Sequence, residues 1–213
     1  MSRPVLYDYY RSSAAYRVRI ALNLKGVDYE QRPVNLADSA QRSDDYRALN
    51  PQGLVPTLEI DGHRLTQSLA IMVYLDQTIP EPALMPRDPF DGAHVRAMAM
   101  AIACDIHPLN NLRVLKYLKG ELGHSQDEVD RWYAHWIIEG LGALEVMASP
   151  QAGAFLFGDA PTIADVCLVP QLFNARRFNV PLDAYPTLLR ADANATKLAA
   201  FAAAHPDKQE IPA

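Results

Sequence analysis

Hydrophobic residues recur in two regimes that meet at a proline-rich break. Before the break, short apolar runs alternate with helical stripes. Val5-Leu6-Tyr7 reads as a strand. A polar turn from Asp8 to Ser13 follows. Ala14, Val18, Ala21 and Leu22 then share one helical face, which Gly26 ends. Tyr29 to Val34 predicts a second strand, with Pro33 at an edge or an end. Asn35 to Asp45 is polar and loop-like, and Asp44 to Leu49 predicts a short helix closed before Asn50-Pro51. Thr57, Leu58 and Ile60 predict a third strand, Asp61-Gly62 a hairpin turn and His63 to Thr66 the returning strand. Leu69 to Leu75 predicts a helix capped by Ser68.

The order is β-α-β-α-β-β-α. Crossover helices imply a parallel pair and the tight turn an antiparallel one, an α/β layout of thioredoxin-like type. Prolines 80, 82, 86 and 89 fall within ten residues, a density that no helix or central strand survives. The predicted domains are therefore 1–80 and 90–213, with 81–89 as linker. The second is all-α in pattern. Ala93 to Ile106 is apolar on most sides and predicts a buried helix that His107-Pro108 interrupts. Leu109, Leu112, Leu115 and Leu118 resume a stripe to about Gly120. Asp127 to Met147 follows, with Trp132, Trp136 and Ile137 on one core face. Thr162 and Asp165 have capping-box spacing before an apolar helix, Val166 to Phe173. Pro181 to Pro186 is a loop, Leu188 to Ala204 a further helix and Pro206 to Ala213 a polar end expected to fray.

At 213 residues, with 49% apolar and 21% charged residues, the chain has the make-up of a globular protein with sizeable cores. A net charge of −5 argues against a broad nucleic-acid surface, while leaving room for a local basic pocket. No basic-flanked apolar leader and no run of 18 apolar residues is present, so neither a signal peptide nor a membrane span is expected and the cytoplasm is the expected location. Cys104 and Cys167 lack CxxC or metal-ligand spacing and are expected to be small buried residues. No cysteine lies in the first domain, which excludes glutaredoxin-like redox chemistry there. No metal site is expected.

The first strand, polar turn and helix carry the candidate chemistry, Arg11-Ser12-Ser13-Ala14-Ala15-Tyr16-Arg17-Val18-Arg19-Ile20-Ala21-Leu22. A helix N-terminus offers unpaired N–H groups and positive potential, so the serines either cap the helix or help hold an anion. The stretch resembles the signature of zeta-class glutathione transferases, with Ala14 where that family often has cysteine. The resemblance extends over nearly the whole chain, through Gly158 to Asp165 and Asn174-Ala175-Arg176-Arg177-Phe178. It implies a glutathione transferase fold, glutathione as cofactor, a small dicarboxylate substrate and a homodimer. The chemistry expected of these residues is that Ser12 donates to the glutathione sulfur and Ser13 supports the site; the resemblance implies that Val55-Pro56 is cis and pairs with the cysteinyl backbone, and that Gln67 and Ser68 hold the γ-glutamyl carboxylate. It also implies glutathione contacts from His107 and Asn111, and less specifically from Gln41 and Arg113. Arg177 falls on the position for a substrate carboxylate, and Arg11 is expected to serve the other end. Val55-Pro56 alone is equally a strand entry, Gln67-Ser68 a helix cap, His107 a kink residue and Arg177 a helix-end charge.

The implied activity is glutathione-dependent cis–trans isomerisation of maleylacetoacetate in tyrosine and phenylalanine breakdown. Maleylpyruvate isomerisation, or conjugation or dehalogenation of small acids, would use the same residues. A glutathione-fold binding protein without turnover is disfavoured by the presence of Ser12, Ser13, Gln67 and Ser68. A reference thiol near pKa ~8.5 is only about 3% ionised at neutral pH. Lowering it by about two units takes roughly 2.7 kcal/mol, within reach of a hydroxyl donor at a helix N-terminus. Arginine forks onto carboxylates and can stabilise developing negative charge.

Overall fold

The computed structural model describes residues 3–211, which form two compact units. The first runs to Leu84 and regains the chain from Lys197 onward; the second is Met85–Thr196.

In the first unit, β1 (Val5–Asp8), β2 (Glu30–Pro33), β3 (Thr57–Ile60) and β4 (His63–Thr66) form one sheet in the order β2-β1-β3-β4. β1 pairs parallel with β2 and antiparallel with β3, and β3 pairs antiparallel with β4. The predicted element order and mixed sheet are both present. Pro33 ends edge strand β2, where its missing N–H is tolerated. Helices α1 (Ser13–Leu24), α2 (Asp44–Leu49) and α3 (Ser68–Thr78) complete the layout. Leu6, Val18, Ile20, Leu22, Leu58, Ile71, Met72 and Leu75 are fully buried.

Two arginines of α1 are buried with this apolar set. Arg19 donates to Asp8 at 2.8 Å and to the carbonyls of Tyr10 and Ala204. Burial raises Asp8 against the lowering pull of Arg19. Lys25 similarly reaches Asp76 at 2.7 Å and the Pro82 carbonyl. These bonds compensate charges that would otherwise be costly inside the fold.

In the second unit, α4 (Pro89–Met100) widens into a π-helical turn, Ala101–Ile106, and continues as α5 (His107–Leu109). α6 (Leu112–Gly120), α7 (Gln126–Ala148), α8 (Ile163–Arg177) and α9 (Pro186–Ala195) follow. The π turn sends Ile102 and Ile106 inward and leaves Cys104 between them exposed, so only Cys167 is buried as expected. The capping box of α8 is formed: Asp165 accepts from Thr162 N–H and hydroxyl and from Leu156 N–H.

The pattern over Leu188 to Ala204 predicts one helix, but two form. α9 ends at Ala195 and α10 (Ala199–Ala204) starts afresh. Thr196 turns its hydroxyl onto the Asp192 carbonyl, and Leu198 is extended. α10 packs on α1 of the first unit, tied by Asn23 to Ala200 and Arg19 to Ala204.

Candidate functional site

Strand register brings three loops to one end of the sheet. Tyr7 of β1 is opposite Thr57 of β3, which is opposite Thr66 of β4. The loop with Ser12 leaves β1 there, Pro56 enters β3 there and Gln67 leaves β4 there. Ser12, Ser13, Val55, Pro56, Gln67 and Ser68 are thus drawn to one edge of the first unit.

Ser12 is the N-cap of α1. Its Oγ accepts from the Ala15 N–H at 3.2 Å, and Ser13 is the first helical residue, largely buried. The cap uses a lone pair and leaves the Ser12 O–H able to donate. Arg11, beside it, is exposed, with its guanidinium 4.9 Å from the centre of the Tyr10 ring.

Val55–Pro56 is a cis peptide. The approach to it is held by Tyr46, whose hydroxyl donates to the Leu54 carbonyl at 2.8 Å, and by Asn50, which donates to the same carbonyl at 2.7 Å. Gly53 lies against Gln41: a Cβ there would sit 2.9 Å from the Gln41 carbonyl oxygen, and φ is +60°. Gln41 itself has a buried Oε1 without a hydrogen-bond partner among the described residues.

Ser68 was expected to cap α3. The cap position is Gln67 instead, and its side chain makes no capping hydrogen bond to the helix end. Ser68 is the first helical residue, with its buried hydroxyl accepting from Arg17 at 3.3 Å. Gln67 has φ 68°, a left-handed conformation that non-glycine residues seldom adopt. Its amide donates to Gln52 at 2.8 Å. The N–H groups at the start of α3 therefore have a buried guanidinium close by, a setting that favours an anion.

In the second unit His107 opens α5, and Asn111 is the N-cap of α6, accepting from Arg113 N–H at 3.1 Å. Arg113 is exposed. α7 links this segment to the end of α8: Trp132 donates to the Leu109 carbonyl, and the next residue, Tyr133, stacks on Phe178. Arg177, the last residue of α8, is exposed and forms no ion pair among the described residues.

Residues 6–83 match the glutathione S-transferase N-terminal domain, and residues 126–206 match the glutathione S-transferase C-terminal domain. A maleylacetoacetate isomerase of Rhizobium meliloti (strain 1021) is 51% identical over 205 residues, covering 96% of each chain. A solved holo maleylpyruvate isomerase, a bacterial zeta-class transferase, aligns at 44% identity with a TM-score of 0.95, covering 98% of this chain and 100% of that one. The chain belongs to the zeta class of the glutathione transferases. A maleylacetoacetate isomerase from Methylobacterium extorquens AM1, solved with malonate and glutathione bound, is 41% identical with a TM-score of 0.93, covering 98% of this chain and 100% of that one.

Within this zeta-class chain several structural partners carry no sequence signal of their own. Arg17 reads as one more residue of the α1 motif, yet it is buried and reaches Ser68. Gln52 reads as loop, yet it braces Gln67. Arg176, to which the sequence assigns no role, pairs with Asp192 at 2.7 Å. Among the described residues no helix is long and apolar enough to cross a membrane, and no group of three or more His, Cys, Asp or Glu side chains could hold a metal.

Proposed function

We propose that this zeta-class transferase is a glutathione-dependent cis–trans isomerase acting on maleylacetoacetate in tyrosine and phenylalanine catabolism. The observation that carries the reading is the Ser12 hydroxyl, held at the N-terminus of α1 with its proton still available. Bound glutathione supplies a thiol whose ionised form adds reversibly to the substrate double bond, and it is not consumed.

The chain's own residues would do the rest. Ser12 donates a hydrogen bond that keeps the sulfur ionised, assisted by the α1 dipole and by Ser13. The α3 N-terminus, with Gln67 and Ser68 and the nearby Arg17, offers N–H groups and positive charge to the γ-glutamyl carboxylate. The cis Val55–Pro56 segment presents backbone for strand-like pairing. Gln41 offers a buried acceptor without a partner among the described residues, a polar atom that a peptide amine or amide could satisfy. His107, Asn111 and Arg113 are further candidate glutathione contacts in the helical unit. Arg11 and Arg177 each bind a carboxylate of the substrate; both guanidiniums are exposed and free of ion pairs among the described residues. We place the protein in the cytoplasm as a homodimer.

Maleylpyruvate is the second reading, favoured by the 0.95 TM-score to a maleylpyruvate isomerase. The deciding measurement is a spectrophotometric assay of each substrate with and without glutathione. Rapid isomerisation that requires glutathione without depleting it supports the proposal, and the ratio of kcat/KM values selects the substrate. Glutathione binding without turnover of either substrate would overturn it.

A further inference from the structure

We propose that Phe178, Tyr133 and Asn174 form a platform that positions the Arg177 guanidinium for a substrate carboxylate. The inference rests on the reading of Arg177 as a carboxylate-binding residue. It assigns no chemistry to the three: they are positioning residues, acting through Arg177.

The Arg177 guanidinium carbon lies 5.3 Å from the centre of the Phe178 ring, within cation–π range. On its own, an exposed arginine over the ring of its sequence neighbour would be a loose arrangement. Here the ring is fixed from two directions. Phe178 stacks on Tyr133 with centroids 3.8 Å apart and planes at 22°. Tyr133 is 1% exposed, and its hydroxyl accepts a hydrogen bond from the Asn174 amide one turn before Phe178. The phenol of Tyr133 is driven upward by burial, against the opposing effect of the Arg177 charge and the Asn174 bond, so it stays neutral.

The backbone locks the second direction. Asn179 takes the left-handed conformation at φ 53° just past the helix end. Asn179 N–H bonds to the Arg176 carbonyl, and Val180 N–H bonds to the Ala175 carbonyl. These are the paired bonds of a Schellman motif, with buried Val180 and Ala175 as its apolar contact. The Cα of Phe178 is thereby set by the helix end and its ring by Tyr133. Arg176, one residue earlier, is held separately by Asp192, so it does not compete for the ring. A guanidinium resting on a fixed ring keeps its edge N–H groups free and loses less side-chain freedom when it grips a carboxylate.

The test measures malonate affinity by calorimetry in the presence of glutathione, kcat and KM for the isomerisation, the ultraviolet thiolate absorbance of bound glutathione, and Tm. The variants are Phe178→Leu, Phe178→Tyr, Tyr133→Phe, Arg177→Ala and the double variant Phe178→Leu with Arg177→Ala. Phe178→Leu should weaken malonate binding and raise KM about two- to five-fold, with kcat and thiolate absorbance unchanged. Phe178→Tyr, which keeps the ring, should restore both. Tyr133→Phe, which keeps the stack but breaks the Asn174 bond, should show a smaller change of the same kind. In the Arg177→Ala background, Phe178→Leu should have no further effect on malonate. Equal losses in both backgrounds, or an unchanged malonate affinity for Phe178→Leu, would overturn the platform while leaving Arg177 as a ligand. An Arg177→Ala variant that binds malonate like the parent would overturn the underlying reading, and the platform with it. If Phe178→Leu lowers Tm markedly, the comparison of Phe178→Tyr with Tyr133→Phe carries the test: a Phe178→Tyr variant of normal Tm with weakened malonate binding would overturn the proposal.

Discussion

The Ser12 hydroxyl accepts the backbone N–H of Ala15 at 3.2 Å. The same group is therefore a helix cap and the candidate thiolate donor, because accepting from an amide leaves its own proton free. The two roles separate by mutation. Ser12→Ala should lose about 1 kcal/mol of stability from the cap and the lowered glutathione thiol pKa together. Ser12→Asp keeps a capping acceptor but cannot donate when ionised, and its charge opposes a thiolate. It should melt close to the parent and yet show little thiolate absorbance at neutral pH. A Ser12→Asp variant with undiminished thiolate would remove the serine from that role.

Arg176 and Arg177, neighbours on α8, should respond oppositely. Arg176 is bonded to Asp192, a largely buried carboxylate that burial pushes above its ordinary range and the arginine pulls back. Because Arg176 is half-exposed, removing it should destabilise the fold by about 1–2 kcal/mol. Substrate KM should then stay near the parent value. Arg177→Ala should leave folding stability within about 0.5 kcal/mol of the parent value and raise KM for a dicarboxylate. Denaturation curves and steady-state kinetics on both variants check the contrast.

Legibility in the sequence follows how local the signal is. The sheet and helices α1 to α3 of the first unit are readable because each strand, turn and helix carries its own cue: the Asp61-Gly62 turn, the strand prolines and the Arg11-Ser12-Ser13 turn before an apolar face; the return of the chain from Lys197 onward to this unit, against a predicted second domain of 90–213, has no such cue. Thr162 and Asp165 likewise announce their box by spacing alone. Nothing local distinguishes Cys104 from a core cysteine, because its exposure depends on a π turn that shifts the helical register. The break between α9 and α10 is set by docking on α1, through hydrogen bonds between residues about 180 positions apart. Gln67 was readable as a polar residue before a helix, but its left-handed backbone was not, because glutamine gives no sign of it. Tyr133 and Phe178 are 45 positions apart, so periodicity could place Tyr133 on a helix without pairing it with a residue that lies beyond the helix predicted over Val166 to Phe173.

Gly140 sits against the π turn in the second unit. A Cβ at that position would lie 2.2 Å from Cγ1 of Ile106, which is buried. Gly140→Ala should therefore destabilise by about 1–3 kcal/mol despite the better helix propensity of alanine. Shortening Ile106 removes the obstructing carbons, so Ile106→Ala with Gly140→Ala should be less damaging than the sum of the singles. Strict additivity in chemical denaturation would show that the two residues do not meet.

Asp165 gives the pH dependence a defined sign. Burial pushes its carboxyl up to about 6, and the bonds from Leu156 N–H, Thr162 N–H and the Thr162 hydroxyl only partly oppose that. The unfolded value is near 3.8. Below that value both states hold the proton. Between it and about 6 the folded state holds a proton that the unfolded state has released, so this group's contribution falls as pH rises. Above about 6 the loss is complete and constant, on the order of 3 kcal/mol at most. Asp165→Asn keeps the shape and one acceptor without titrating. The stability gap between parent and variant, measured by denaturation from pH 4 to 7, should narrow as pH rises and then level off. A gap that widens over that range would mean the three donors hold the carboxylate charged, and that the capping box is a stabilising anion site rather than a buried acid.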